Sequence, residues 1–108
     1  MPEFTDVRQA WQALSEHAEA AQLGDTNATV VFDLSADGNG KRTATIVDGT
    51  VSIDETVMPS PDVTIRMKGA DFLGMMNGTL NPIAAFMMGK IRVEGDMAVA
   101  MRLQALFG

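Results

Sequence analysis

His17 is the only histidine in a chain of 108 residues that contains no cysteine. A catalytic imidazole needs an orienting partner and a nucleophile within reach. His17 instead follows Glu16 and sits beside Leu14 and Ala18, at the edge of an apolar helical face, where a solvated side chain is expected. Ser15, Ser35, Ser52 and Ser60 lie in no nucleophile-elbow pattern. Asp33, Asp37, Asp48, Asp54 and Glu55 fall at or beside turns, and turn chemistry accounts for most of them. Asp37-Gly38-Asn39 opens like a calcium loop but lacks the closing glutamate. Clustered metal ligands and a phosphate-cradling glycine loop are both missing. The expectation is a protein that is not an enzyme, with no catalytic residues, no metal and no cofactor.

What the chain does concentrate is apolar side chains of one adaptable kind. It has nine methionines, and Met67, Met75, Met76, Met87, Met88, Met97 and Met101 all fall in its last 42 residues. Methionine fills irregular apolar space and adapts to varied partners. Phe72 and Leu73 stand beside Met75 and Met76, Phe86 beside Met87, and Leu106 and Phe107 close the chain. Two readings follow: a close-packed methionine-rich core, or a ligand cavity lined by flexible side chains. On the second reading the lining residues are Trp11, Phe32, Phe72, Met75, Met76, Phe86, Met87, Met97, Met101 and Leu106.

The elements that would position these side chains can be read from periodicity. Val7, Ala10, Trp11, Leu14, Ala18 and Ala21 recur at three and four, which predicts a helix over residues 5–22. Ala28, Val30, Phe32 and Leu34 alternate along a strand, with Val31 an exception on its outward face. A turn at 37–40 leads to a strand over 42–47, and Asp48-Gly49 is a two-residue hairpin signal before a strand over 50–54. Met58-Pro59-Ser60-Pro61 is a connector. Val63, Ile65 and Met67 alternate with Thr64, Arg66 and Lys68 on a fourth strand. Short helices are expected over 70–77 and, after the Asn81-Pro82 start signal, over 82–88. A fifth strand covers 90–94 with Ile91 and Val93 inward, and Asp96 caps a helix over 97–106. That last helix is apolar nearly all round, so something must cover more than one of its sides. A ligand, a partner subunit or the wall of a pocket would each serve, and a movable lid is the expected role.

Charge and length narrow the class. The formal charge is −6, which argues against nucleic-acid binding. One domain spanning residues 1–108 is expected, large enough to bury a core without disulfides. The sequence shows no signal peptide and no apolar run long enough to span a bilayer, which points to the cytoplasm. Arg66, Lys68, Lys90 and Arg92 are expected to form a basic stripe, either a solvated sheet face or an attractor for lipid phosphate.

The segments Pro61–Met67, Asp71-Phe72-Leu73, Gly78–Met87 and Gly89–Met97 together resemble the sterol-binding domain of the sterol carrier protein 2 (SCP-2) family. The order of the preceding helix and meander is similar too. The resemblance implies an α+β fold, a five-stranded mixed β-sheet with helices covering one face and an apolar pocket between them. It implies non-catalytic binding and transfer of a fatty acid, fatty-acyl-CoA, sterol-like or other isoprenoid lipid, with transient membrane contact. The alternative is an accessory domain docking by its C-terminal helix onto a lipid-processing enzyme. Two departures stand out. The chain ends Leu106-Phe107-Gly108 without the peroxisomal signal of many relatives, and Lys68 occupies a place where a Ser or Thr often caps the next helix.

Overall fold

The computed structural model describes residues 4–21 and 23–104, with the backbone alone for 15–21. In chain order the elements are α1 (Val7–Ala21), β1 (Ala28–Asp33), β2 (Lys41–Val47), β3 (Thr50–Asp54), β4 (Val63–Arg66), α2 (Gly69–Met76), α3 (Pro82–Met87), β5 (Arg92–Gly95) and α4 (Met97–Leu103). A 3-10 turn, Ser35–Asp37, follows β1. The strands form one mixed sheet in the order β3-β2-β1-β4-β5, in which β1 and β4 run parallel and all other neighbours antiparallel. This is the α+β architecture expected. β5 begins two residues later than anticipated, at Arg92, although Ile91 is buried as expected.

Register follows the alternation of side chains. Val30 pairs with Ala44 and Val63, and Phe32 with Ile65, which in turn faces Val93. Val30, Phe32, Ala44, Ile46, Val63 and Ile65 are buried on the helix side, where a one-residue slip would turn them all to the other face. The β2–β3 turn is pinned by Asp48 and Gly49, both at positive φ (49° and 80°), the geometry of a type I′ hairpin. A Cβ at Gly49 would lie 2.5 Å from the Gly24 carbonyl oxygen, so position 49 is closed to other residues twice over.

Returning from β3 to a strand beside β1, the chain must cross the sheet. It does so over the open face: the Thr43 hydroxyl donates to the Thr56 carbonyl (2.6 Å) and accepts from the Met58 N–H (3.0 Å). Val31 is the cross-strand partner of Thr43, and this crossing strap explains why an outward-facing valine is buried. At the far end the Asp62 carboxylate accepts from the Thr29 N–H (2.8 Å) and sets the start of β4.

Each helix has its start satisfied. Asp6 accepts from the Gln9 N–H (3.0 Å) at α1. Asn81 accepts from Ile83 and Ala84 N–H ahead of α3, with Pro82 at its first position. Asp96 accepts from Ala98 and Val99 N–H at α4. At α2, Lys68 supplies no cap. The missing group comes from Asp37, whose carboxylate accepts from the Gly69 N–H (2.9 Å) and the Ala70 N–H (3.2 Å) across 32 and 33 residues of sequence. Asn39 holds that carboxylate by a 2.7 Å bond. The approach is close enough that a Cβ on Gly69 would collide with the Asn39 side chain.

Candidate functional site

The core divides into a filled half and a hollow half. In the filled half Trp11 from α1, Phe32 from β1 and Phe72 from α2 pack ring against ring. Trp11 meets Phe32 edge-on at 5.5 Å between centroids, Phe72 at 4.5 Å, and Phe32 and Phe72 stand 6.2 Å apart. These separations are those of close-packed aromatic clusters. The Trp11 indole N–H is buried without a hydrogen-bond partner among the described residues.

In the hollow half three short helices stand over β4 and β5 and leave an apolar cavity of about 350 Å³. Its floor is the inward row Ile65, Met67, Ile91 and Val93. Met75 of α2 forms one wall, Pro82, Ile83 and Phe86 of α3 a second, and Met97, Ala100, Met101, Leu103 and Gln104 the third. The volume lies at the lower end of the range for small-molecule sites, and such sites are mostly apolar. Ile83, Phe86, Met97 and Met101 are also partly open to solvent, so the cavity has its mouth between α3 and α4.

Of the lining residues expected from sequence, the structure brings Met75, Phe86, Met97 and Met101 together around this space. Trp11, Phe32 and Phe72 belong to the aromatic cluster, and Met76 is buried without bordering the cavity. Met87 points away from it and is 80% exposed, because α3 turns only one narrow face, centred on buried Ala85, toward the protein. Leu106 lies outside the described residues. The floor residues had no place among the expected lining, although alternation along β4 and β5 marks them as inward. Aromatic side chains fill space in the closed half, whereas aliphatic side chains, methionines and Phe86 border the cavity.

A second, polar depression of about 600 Å³ lies where β1 and β4 end and β5 begins, and Met67 borders both. Arg66, Lys68, Lys90 and Arg92 all line it, with Asp33 and Asp71. Arg66 is engaged, bridging Asp33 (3.2 Å) and Glu94. Burial pushes the Asp33 carboxyl up, but bonds from the Ser35 hydroxyl and N–H, with the charge of Lys41 and a hydrogen bond from Arg66, outweigh it and hold the group below its usual range. The Asp37 carboxyl is likewise lowered, chiefly by the Gly69 N–H and then by Asn39.

Among the described residues no three or more histidine, cysteine or acidic side chains cluster as metal ligands. Nor, among them, is any helix long and apolar enough to cross a membrane.

The fold matches that of a palmitated SCP2L2 from Aedes aegypti, with a TM-score of 0.72 at 21% identity over 95% of each chain. Human sterol carrier protein 2 is 40% identical over 74 residues, which is 65% of this chain and 14% of the human one. The hydroxysteroid dehydrogenase-like protein 2 of Pongo abelii is 35% identical over 107 residues, 97% of this chain and 25% of the relative. The chain thus spans only a small part of these curated relatives. The profile of the SCP-2 sterol transfer family matches residues 8–108, and the chain belongs to that family.

Proposed function

We propose that the protein binds one apolar ligand, an acyl chain or a sterol-like body, non-covalently in the cavity over β4 and β5, and carries it. The observation that supports this most directly is the cavity itself, whose walls are apolar apart from Gln104 at the end of α4. Close-packed interiors rarely leave voids larger than a water molecule, and an apolar hollow of 350 Å³ bordered by four methionines suits a ligand of variable shape. Each methylene taken out of water there contributes about 0.8 kcal/mol. The palmitate on the Aedes aegypti protein is consistent with a long acyl chain as the ligand here. Among the described residues, none around the cavity supplies a nucleophile, acid or base, so the ligand would leave as it entered.

Native mass spectrometry of the purified protein, followed by displacement of a fluorescent fatty acid, tests this reading. A bound lipid mass, or saturable displacement by palmitic acid, is expected. A protein that is empty as purified and takes up neither fatty acid, acyl-CoA nor sterol would overturn it.

A further inference from the structure

The methionines are graded in exposure, and the grading separates their possible chemistry. Met67 and Met75 border the cavity from within and are only 4% and 2% exposed. Met87 and Met88 stand in solvent and do not border it. Met97 and Met101 do both: they line the cavity and are 49% and 69% exposed. They lie four residues apart, about one turn of α4, so both side chains belong to one face of the helix at the mouth. The chain has no cysteine, so methionine sulfur is the only sulfur it offers to an oxidant.

We propose that Met97 and Met101 are oxidation sites through which hydrogen peroxide controls how tightly the cavity holds its ligand. In the reaction a sulfur lone pair takes one oxygen of the peroxide. The O–O bond breaks, an S–O bond forms, and the hydroxide released picks up a proton and leaves as water. Sulfur loses two electrons and the peroxide gains them. Two thiols of a methionine sulfoxide reductase reverse the step, becoming a disulfide as one water is released. The sulfoxide is polar, where the thioether was a flexible apolar filler. The cavity wall is apolar apart from Gln104, so a sulfoxide oxygen there turns to water at the mouth. Stripping that water to readmit an apolar ligand opposes binding, which the reduced side chain does not. Met87 and Met88 react as readily, but their sulfoxides stay in solvent and leave the cavity unchanged. The effect on affinity rests on the lipid-carrier reading; the order in which the sulfurs react does not.

Graded oxidation tests it. Hydrogen peroxide is added to lipid-free protein at a dose at which peptide mass spectrometry finds Met67 and Met75 unmodified. Displacement of a fluorescent fatty acid by palmitic acid is then measured. Sulfoxide is expected at Met87, Met88 and Met101 first and at Met97 next, and affinity for palmitic acid should fall about tenfold. Methionine sulfoxide reductase with dithiothreitol should restore it. Saturating palmitic acid beforehand should slow oxidation of Met97 and Met101 about threefold or more and leave Met87 and Met88 at the free rate. Two variants locate the effect. Met87→Leu with Met88→Leu should bind as wild type does and lose affinity to peroxide to the same extent. Met97→Leu with Met101→Leu, whatever its starting affinity, should change less than about twofold on treatment, since leucine keeps the volume and cannot form a sulfoxide. An equal loss in that variant would place the damage elsewhere and overturn the inference. So would unchanged affinity in protein carrying sulfoxide at both positions. Untreated protein that takes up no lipid would instead sink the carrier reading, and the switch with it.

Discussion

Ala100 and Met101 are neighbours on α4, and both border the cavity, but they test it differently. Ala100→Phe adds apolar volume where there is space, so it should compete with the ligand. We expect affinity for a fatty acid to fall about tenfold or more, while the thermal midpoint holds or rises because a void is filled. Met101→Asp places a carboxylate at the mouth and should also weaken binding about tenfold, since an unpaired charge against apolar ligand is costly. Trp11→Phe should leave affinity unchanged, because Trp11 lies in the aromatic cluster and its N–H makes no hydrogen bond among the described residues that the variant would lose. A displacement titration on the three variants checks the set, and a Trp11→Phe loss larger than that of Met101→Asp would move the site to the filled half.

Asp37 is the residue whose role the sequence concealed most. Read locally it is a turn aspartate, and the turn does form. Its second function, capping α2, depends on a contact across 32 residues that no local pattern encodes. Asp37→Ala should cost about 1 kcal/mol at about pH 7, the usual effect of losing a helix cap. The Asp37 and Asp33 carboxyls are both lowered from 3.8 in the folded protein. Their stabilisation is therefore present above that value and is lost as pH falls through the lower folded values. The stability difference between wild type and Asp37→Ala should accordingly shrink as pH falls below about 4. Urea titrations at a series of pH values would show a constant difference if the charge were irrelevant.

At the scale of elements, strands were the most legible. Val30, Phe32, Ile46, Val63, Ile65 and Ile91 are buried, as alternation requires, while Val93 is only partly so because β5 is an edge strand beside the cavity. Helix starts at Asn81-Pro82 and Asp96 were legible because capping residues carry their own chemistry. The strap over the open face was not, since Thr43 reads as an ordinary strand residue until Thr56 and Met58 close on it. Division of the core into filled and hollow halves was hidden for a related reason: it depends on how three short helices sit over two strands, and side-chain type alone does not record that. We propose that α4 acts as the movable lid of the cavity. It packs on β4 and β5, borders the mouth and leaves Met97 and Met101 half in solvent. Ligand would give those side chains partners, so amide exchange across Met97–Leu103 should slow on lipid binding more than in any other helix. Equal protection with and without a confirmed ligand would make α4 a fixed wall.

For the molecule as a whole, one half of a small α+β domain is closed by aromatic packing and the other, on the proposed function, is left open for a lipid. The methionines report on this distinction directly, because they are distributed over both halves and the surface. Met67, Met75, Met97 and Met101 border the cavity, Met76 lies in the core behind it, and Met58, Met87 and Met88 are exposed away from it. Methyl-labelled methionine can therefore be followed by NMR while palmitic acid is added to lipid-free protein. The account predicts that the methyl signals of Met67, Met75, Met97 and Met101 shift together and saturate, while those of Met58, Met87 and Met88 stay close to their starting positions. Shifts confined to Met87 and Met88, or none at all at a fatty-acid excess, would contradict it.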